Sequence, residues 1–460
     1  MAHGNIQFPA ERFTGHAALA VIGVYLRQWG LFDEIAQHVQ IKQKQVRYTP
    51  IEKLCQGFVA ILAGARGMVD INKYLRSDPG LQAAFGDAGC AEQSVVQDTL
   101  DACTAENVTQ MQTAMDAVYR RHSAGYKHPY LTQYQVLDID MSGLVCGPKA
   151  AFATKGYFAK QRNRRGRQLG RVLAAHYNEI VVDRLFDGKT QLATALSPLV
   201  AAAEQTLALD ATKRARTILR VDSGGGSLSN INWALSRGYH YHGKDYSGQR
   251  ADALAATVTE WRDDPKVPER QVGWVTDPAP AYVRPVRRIA VRCRKKNGQW
   301  GIGVLVSTLT PEMVMELTHQ PCHQCHDPQA VLLAYVYFYD ARSGGVETSF
   351  KEDRQGLGMH QRTKKRFPAQ QMLTQLNLLA HNVIVWVKAR LTPHLPAFRQ
   401  LGLKRWVRDI FQMLGVLYFD HSGRLYHCRL NQADPFARKL APALRILLAE
   451  QQVGISLGET

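Results

Sequence analysis

The stretch Thr217–Ser227, TILRVDSGGGS, constrains the fold more than any other part of this 460-residue chain. The largely apolar run before Asp222 suits a buried strand, and the three glycines after it end that strand abruptly. A carboxylate at the end of a central strand, beside backbone without side chains, is well placed to hold a cation close to a phosphate. One aspartate cannot hold such an ion alone. We therefore expect other carboxylates to be brought to Asp222.

Three simpler interpretations of the glycine stretch compete with this one. An aspartate before glycine is often only a turn or a helix cap. A dinucleotide-binding turn is poorly supported, because the glycines are consecutive and not spaced as G-x-G-x-x-G, and no Gly-Lys-Ser/Thr follows to make a phosphate loop. The remaining sequence has to decide between a turn and a metal-binding carboxylate.

The charge balance predicts a polyanionic partner. Lys and Arg number 57 against 39 Asp and Glu, which gives a net charge of +18 and a pI near 9.6, and nucleic acid is the commonest polyanion in a cytoplasm. The 45% hydrophobic content can fill a sizeable core in two or three domains. Eight scattered cysteines favour a reducing compartment, and no N-terminal signal or apolar run of about 20 residues is visible. We expect a cytoplasmic protein without a membrane span.

The chain before residue 130 has helical periodicity, and the pattern then changes to strands. Apolar residues recur at three- and four-residue intervals from about Ala17 to Ala124, with Pro50 at the first position of its helix. These helices could form a DNA-reading module, and a helical packing layer is about as plausible. In the predicted strand YQVLDID, Asp138 and Asp140 alternate with apolar residues, so both carboxylates share one face.

A basic run and a βα pattern follow. Residues 149–171 hold eight basic residues and no acidic one, which favours phosphate contacts over a merely solvated loop. Two strands joined at Tyr177–Asn178, a helix, the strand to Asp222, a helix and a short strand come next. Together with the strand of Asp140, this order predicts a ribonuclease H-like core, a mixed α/β sheet flanked by helices.

The stretch from residue 245 to 333 interrupts that core. It predicts a β-rich insertion around a basic hairpin, with seven basic and no acidic residues between Arg284 and Lys296. Cys322 and Cys325 form a C-x-x-C without a second pair, so zinc is not expected. After the insertion, Glu347 begins a helical run that carries Lys351 on or near its own face.

These motifs resemble those of a known family, the DDE transposases of bacterial insertion sequences, in the branch with a β insertion between the second and third acidic residues. The resemblance covers most of the chain and lies in DIDMSG around Asp140, RVDSGGGS around Asp222, and YDAR followed by ETSFKEDR around Glu347. Four residues separate Arg342 from Glu347 where the family has three. Asp138 competes with Asp140 as the first acid, and Asp140 is favoured because a small hydroxyl residue follows two places on.

The resemblance implies a catalytic centre, its cofactors and its DNA contacts. Asp140, Asp222 and Glu347 would hold two Mg²⁺ ions, with Mn²⁺ as a substitute, for cleavage at terminal inverted repeats and strand transfer into target DNA. Positively charged and aromatic residues would fix double-stranded DNA. The predicted DNA contacts are Tyr339, Arg342, Lys351, Arg354, Arg162, Arg164, Arg165, Arg167, Arg287, Arg288, Arg292 and Lys295.

The predicted division of the chain has five parts. They are a helical N-terminal region (1–130) with a DNA-binding role, the first part of the core (131–244), the β insertion (245–333), the second part of the core (334–392) and a C-terminal tail of helices and a hairpin (393–460). A homodimer on DNA in a bacterial nucleoid is expected. A catalytically inactive DNA-binding protein and a metal-dependent nuclease without joining activity remain the alternatives.

Overall fold

The computed structural model describes residues 10–44, 47–158, 161, 163–245, 248–279 and 281–459. The strands are β1 (Ala10–Thr14), β2 (Gln135–Val145), β3 (Thr154–Lys155), β4 (Arg165–Ala174), β5 (Glu179–Asp187), β6 (Thr217–Val221), β7 (His240–Lys244), β8 (Arg262–Asp263), β9 (Arg270–Trp274), β10 (Arg287–Arg294), β11 (Trp300–Ser307), β12 (Gly415–Phe419), β13 (Leu425–Asn431) and β14 (Gly454–Gly458).

The α-helices fill the segments between these strands. They are α1 (Ala17–Gln28), α2 (Asp33–His38), α3 (Pro50–Leu62), α4 (Pro79–Ala84), α5 (Gln93–Ala102), α6 (Ala105–His122), α7 (Leu192–Leu207), α8 (Ala211–Ala215), α9 (Leu228–Ser236), α10 (Gly248–Ala255), α11 (Pro311–Leu317), α12 (Pro328–Asp340), α13 (Val346–Gly356), α14 (Phe367–Leu391), α15 (Leu403–Arg405) and α16 (Ala437–Leu447). Within the described ranges, no helix has the length and apolar character needed to cross a membrane.

The chain divides into two compact units. The first unit comprises 1–123, 145–153 and 350–460, and the second comprises 124–144 and 154–349. The predicted N-terminal region and C-terminal tail therefore fall largely in one unit, while both parts of the predicted core and its insertion contribute to the other. The finer five-part division stays a prediction.

The first unit combines helices with a small sheet. Its strand order is β1-β12-β13-β14, in which β1 runs antiparallel to β12 and β14 runs parallel to β13. The hairpin β12–β13 was predicted from its apolar alternation, whereas β1 and β14 were not. The helical prediction for 17–124 is confirmed, and Pro50 occupies the first turn of α3, where Thr49 and Glu52 form a capping box.

The second unit is built on one mixed sheet. Its order is β3-β4-β2-β6-β7-β11-β10-β9-β8, with β5 paired to β4. The central strands β2, β6 and β7 are parallel, and β11 joins antiparallel to β7. The predicted order of strands and helices from β2 to β7 is confirmed, with short β3 and α8 in addition.

The strands of the predicted insertion extend this sheet and do not form a sheet of their own. Hairpin β10–β11 adds to the edge of β7, so the backbone groups along that edge are paired. Helix α12 packs over β9 and β10 through a buried cluster that includes Ile289, Leu305 and Tyr335. The insertion and the core thus share one apolar layer in the second unit.

The glycines after β6 allow a tight exit from the strand. A Cβ on Gly225 would lie 2.5 Å from Val221 Cγ1, closer than real contacts allow. A single 3₁₀ turn, Ser223–Gly225, follows Asp222, and the Ser227 side chain then accepts from Asn230 N–H to cap α9. This local structure leaves Asp222 at the strand end without a bulky neighbour.

Candidate functional site

Two of the predicted acids lie on adjacent parallel strands where the pairing of those strands ends: Asp222 directly follows β6, whereas Asp140 lies within β2, which continues to Val145. In the pairing of β2 with β6, Ile139 lies opposite Val221, and Asp140 and Asp222 are the next residues along each strand. Parallel strands carry their C-terminal ends to the same edge of a sheet. The two carboxylates are therefore neighbours because of the register, as the sequence predicts.

The third acid reaches the same place through an arginine. Arg342 lies in the 3₁₀ turn Ala341–Gly344 and Glu347 in the first turn of α13. Arg342 Nη2 lies 2.8 Å from Asp140 Oδ2, and Nη1 lies 2.9 Å from Glu347 Oε1. The Glu347 side chain is 52% exposed, that of Asp140 21% and that of Arg342 3%. One buried guanidinium thus joins two carboxylates that open toward solvent.

Tyr339 and Lys244 complete the surroundings of Asp222. The Tyr339 hydroxyl donates to Asp222 Oδ1 at 3.0 Å, although its side chain is largely buried. Lys244, at the end of β7, places its ammonium 5.0 Å from the centre of the Tyr339 ring. Asp222 therefore accepts a hydrogen bond from the neutral Tyr339 hydroxyl and lies near the positive charge of Lys244.

The pKa values of the acids reflect these neighbours. Burial raises the pKa of Asp140; Arg342 and the Met141 amide oppose this, but the negative charges of Asp222 and Glu347 reinforce it. Burial also acts to raise the pKa of Asp222, but Arg342, the Ser223 amide and Tyr339 outweigh it, so the value is lowered. Asp222 is thus the more firmly ionised of the two strand-end acids.

Arg342 carries the positive charge of this group. Burial alone would lower its pKa, yet the attraction of Asp140, Tyr339 and Asp222 raises it. Its Nη2 also lies 3.4 Å from the Ile139 carbonyl oxygen. The guanidinium therefore stays charged at any pH at which the protein is folded.

Asp138, the alternative first acid, is placed quite differently. Its side chain is 0% exposed and pairs with Arg220 through both carboxylate oxygens, at 2.6 and 2.9 Å. Arg220 Nη1 also donates to the Phe338 carbonyl at the end of α12, at 2.6 Å. A Cβ on Gly345 would lie 2.2 Å from Asp138 Oδ2, so only glycine fits there. This pair packs against the turn that carries Arg342, and it is closed to solvent.

A second buried pair fixes the start of α13. Arg171 on β4 holds Asp183 on β5 at 2.8 and 2.7 Å, and its Nη1 donates to Ser349 Oγ at 3.0 Å. Ser349 in turn donates to the Val346 carbonyl. Because Ser349 is two residues after Glu347, this contact helps to set where the third acid begins its helix.

The predicted DNA contacts divide by exposure. Arg167 is 1% exposed and Arg288 is 6% exposed, so both side chains are buried where the sequence analysis expected a phosphate contact. Strand β4 takes Arg167 into the interior, and Arg288 lies 3.6 Å from Asp277. Arg292 lies over the rings of Trp261 and Trp300, 4.0 and 4.7 Å from their centres.

The other predicted contacts include buried, half-buried and exposed side chains, and one lies outside the described residues. Arg342 is buried between acids, and Tyr339 is used by Asp222, as above. Arg354 is half-buried on α13, and Arg162 lies outside the described residues. The exposed members are Arg164, Arg165, Arg287, Lys295 and Lys351.

The sequence analysis did not single out Arg220 or Lys244. Both had a signal: Arg220 alternates with apolar residues in a strand that is otherwise buried, which calls for an acidic partner. Lys244 ends the strand next to β6 and so falls at the same edge of the sheet as Asp222.

Comparisons with known proteins give a structural likeness and no match by sequence. No protein-family model matches the chain, and no curated protein matches it. A solved structure titled as the cryo-EM structure of the piggyBac transposase synaptic complex with hairpin DNA is similar, with a TM-score of 0.44 and 12% identity, covering 92% of this chain and 81% of that chain.

Proposed function

We propose that this protein is a DNA transposase of the DDE type, which cleaves the ends of a mobile element and joins them to target DNA. The observation that carries the proposal is the meeting of Asp140, Asp222 and Glu347 around one guanidinium at the open edge of the sheet. Three carboxylates from separate elements that share one buried guanidinium at an open edge of a sheet are more typical of a functional site than of a purely structural one.

The donor set suits hard divalent cations. In the described part of the chain, no group of three or more His, Cys, Asp or Glu side chains is arranged to hold a metal ion. The guanidinium of Arg342 lies between Asp140 and Glu347 and pairs with both. Carboxylate oxygens are the ligands that Mg²⁺ and Mn²⁺ prefer, so these two acids and Asp222 would hold such ions. When bound, the ions activate an attacking hydroxyl and stabilise a leaving phosphate oxygen.

The surrounding residues hold the acids in the state that this chemistry needs. The lowered pKa of Asp222 keeps it ionised at neutral pH. Tyr339 fixes the orientation of that carboxylate by donating to Oδ1. The Arg220–Asp138 and Arg171–Asp183 pairs fix the turn and helix that carry Arg342 and Glu347.

Charge supports a DNA substrate. The net charge of +18 predicts attraction to phosphate backbones. The cations proposed to contact DNA directly are the exposed members of the predicted set, together with Arg354 on α13. The exposed members are Arg164, Arg165, Arg287, Lys295 and Lys351, and DNA contacts by Arg162, Arg292, Tyr339 and Arg342 stay part of the proposal.

The proposal extends to the fold family, the location and the assembly of the protein. The sheet of the second unit would be a ribonuclease H-like core with an insertion between the second and third acids. The branch of bacterial insertion sequences, a nucleoid location, a homodimer on DNA and a DNA-binding role for residues 1–130 follow from the resemblance in the sequence.

A cleavage and joining assay tests the function. The substrate is a plasmid that carries the inverted repeats flanking the gene, incubated with the purified chain and Mg²⁺ or Mn²⁺. The expected result is cleavage at the repeat ends followed by joining to target DNA, both lost in an Asp222→Ala variant. Cleavage without joining would indicate a nuclease, and binding without nicking would indicate a DNA-binding protein.

A further inference from the structure

Arg342 occupies the position between two acids where a metal ion would be needed. Both terminal nitrogens of its guanidinium are used, one by Asp140 and one by Glu347. Asp140 has both oxygens engaged, since Oδ1 accepts from the Met141 amide at 2.7 Å and Oδ2 takes Arg342. A divalent cation cannot take Asp140 Oδ2 and Glu347 Oε1 while the guanidinium remains there.

The guanidinium of Arg342 has fewer fixed hydrogen-bond partners than that of Arg220. Arg220 uses Nε, Nη1 and Nη2 on fixed partners in a sealed pocket. Arg342 Nε is buried and has no hydrogen-bond partner among the described residues. Burying an unpartnered donor costs free energy. Apart from the Ile139 carbonyl at 3.4 Å, the acids themselves are what hold the Arg342 guanidinium.

The backbone that carries Arg342 is also suited to a change of position. Arg342 lies in a single 3₁₀ turn whose residues Ser343 and Gly344 are exposed. A Cβ placed on Gly344 would meet no atom within 4 Å, so the turn has room on its outer side. A side chain anchored mainly by charge can leave when a stronger cation competes for the same oxygens.

We propose that Arg342 is an internal counter-ion, which closes the acidic site in the metal-free protein and is displaced when divalent cations bind. This inference rests on the proposed function, because it takes the three acids as metal ligands. It also accounts for a buried residue at a position where the sequence predicts a DNA contact. Once displaced from the acids, the guanidinium is free to contact an anion such as a DNA phosphate.

Metal binding to the full chain without DNA tests the inference. Mn²⁺ binding is followed by the electron paramagnetic resonance signal of the free ion, and Mg²⁺ binding by calorimetry. Arg342→Gln removes the competing charge and keeps a polar side chain of similar reach. We expect it to bind Mn²⁺ at least about tenfold more tightly than the natural chain. Equal or weaker binding would overturn the inference.

A second variant and a second readout guard against a folding defect. Arg342→Lys keeps the charge but cannot hold both acids at once, so its Mn²⁺ affinity should lie between the other two. In EDTA, Arg342→Gln should melt at a lower temperature than the natural chain, and Mn²⁺ should raise its melting temperature by more. A smaller rise with Mn²⁺ than in the natural chain would count against displacement.

The acids separate this inference from the proposed function. Asp222→Asn and Glu347→Gln, each in the Arg342→Gln background, should abolish the tight Mn²⁺ binding. If Mn²⁺ binding persists in both, the three acids are not the metal site and the proposed function fails with the inference. If they abolish binding but Arg342→Gln alone does not tighten it, only the counter-ion role fails.

Discussion

Two carboxylates on strand β2, only two residues apart, each pair with an arginine, and the two pairs differ in their exposure to solvent. Asp138 and Arg220 form a sealed pair with every guanidinium arm engaged, and Asp138 is 0% exposed. Asp140 and Arg342 form an open pair, in which Asp140 is 21% exposed and the arginine is shared with Glu347. The comparison teaches that position relative to the end of the β2–β6 pairing, and not residue type, separates an ion pair that is closed to solvent from one that is open to it.

The largest difference between the pairs should appear in catalysis. Alanine at Asp140, Asp222 or Glu347 should lower DNA cleavage by about 10³-fold or more, because each acid belongs to one charge cluster that acts as a unit. DNA binding, measured by fluorescence anisotropy, should change little. Asp138→Asn, compared per folded molecule, should keep cleavage within about tenfold. A loss at Asp138 equal to that at Asp140 would identify Asp138 as the first acid.

Stability should show the reverse order. Asp138→Ala leaves the buried Arg220 charge without its partner and should lower the free energy of unfolding by about 3–5 kcal/mol. Asp140→Ala, at the solvent edge, should lower it by about 1 kcal/mol or less. Urea unfolding of both variants, followed by circular dichroism in EDTA, measures the difference. Equal losses would mean that the open pair is as structural as the sealed one.

The pH dependence of stability should separate the two strand-end acids. The folded pKa of Asp140 lies above its ordinary value of 3.8, so its contribution to stability is full below pH 3.8 and is lost as pH rises through the folded pKa. Asp140→Asn should therefore gain on the natural chain as pH rises from about 4 to about 8. Urea midpoints across that range in EDTA provide the measurement.

Asp222 should behave in the opposite sense in the same titration. Its folded pKa lies below 3.8, so its contribution is full above that value and is lost as pH falls through the folded pKa. Asp222→Asn should be less stable than the natural chain from about pH 5 to about pH 8, by a constant margin. A margin that shrinks as pH rises would contradict the lowered pKa.

The smallest effect should come from Tyr339. Tyr339→Phe removes one hydrogen bond to Asp222 and keeps the ring beside Lys244, so cleavage should fall by about tenfold or less. The control is Tyr337→Phe, which removes a hydroxyl that donates to Asp264 at 2.8 Å, away from the acids. The same loss in both variants would show that the effect comes from removing a hydrogen-bonded hydroxyl in general and not from the bond to Asp222.

The sequence could predict features whose signal lies in a short stretch of the chain. Apolar runs before Asp140 and Asp222 predicted strands of one mixed sheet with a carboxylate at the end of each. The structure pairs β2 with β6 and brings the two acids side by side, although β2 continues to Val145. Helical periodicity likewise predicted α1, α3, α6 and α14. These features are local, so a single stretch of sequence contains the whole signal.

Burial of charge was harder to predict because it depends on partners far along the chain. Arg167 lies in a run that holds only positive charges, which favoured an exposed loop, yet β4 carries it inside. Arg171 and Asp183 lie directly opposite each other in the β4–β5 pairing. The predicted turn at Tyr177–Asn178 is midway between them, so this pair could have been predicted from the sequence. Strands β1 and β14 were not, since their partners are distant in sequence.

The turn between α12 and α13 has a wider consequence. It holds one residue more than the transposases that the sequence resembles, and yet Arg342 still meets Glu347 at 2.9 Å. Gly345, pressed against Asp138, is the point that cannot carry a side chain. Any side chain at position 345 is therefore expected to push this turn away from Asp138 and to disturb the bond between Arg342 and Glu347. The contact between Arg342 and Glu347, and not the number of residues between them, characterises this turn.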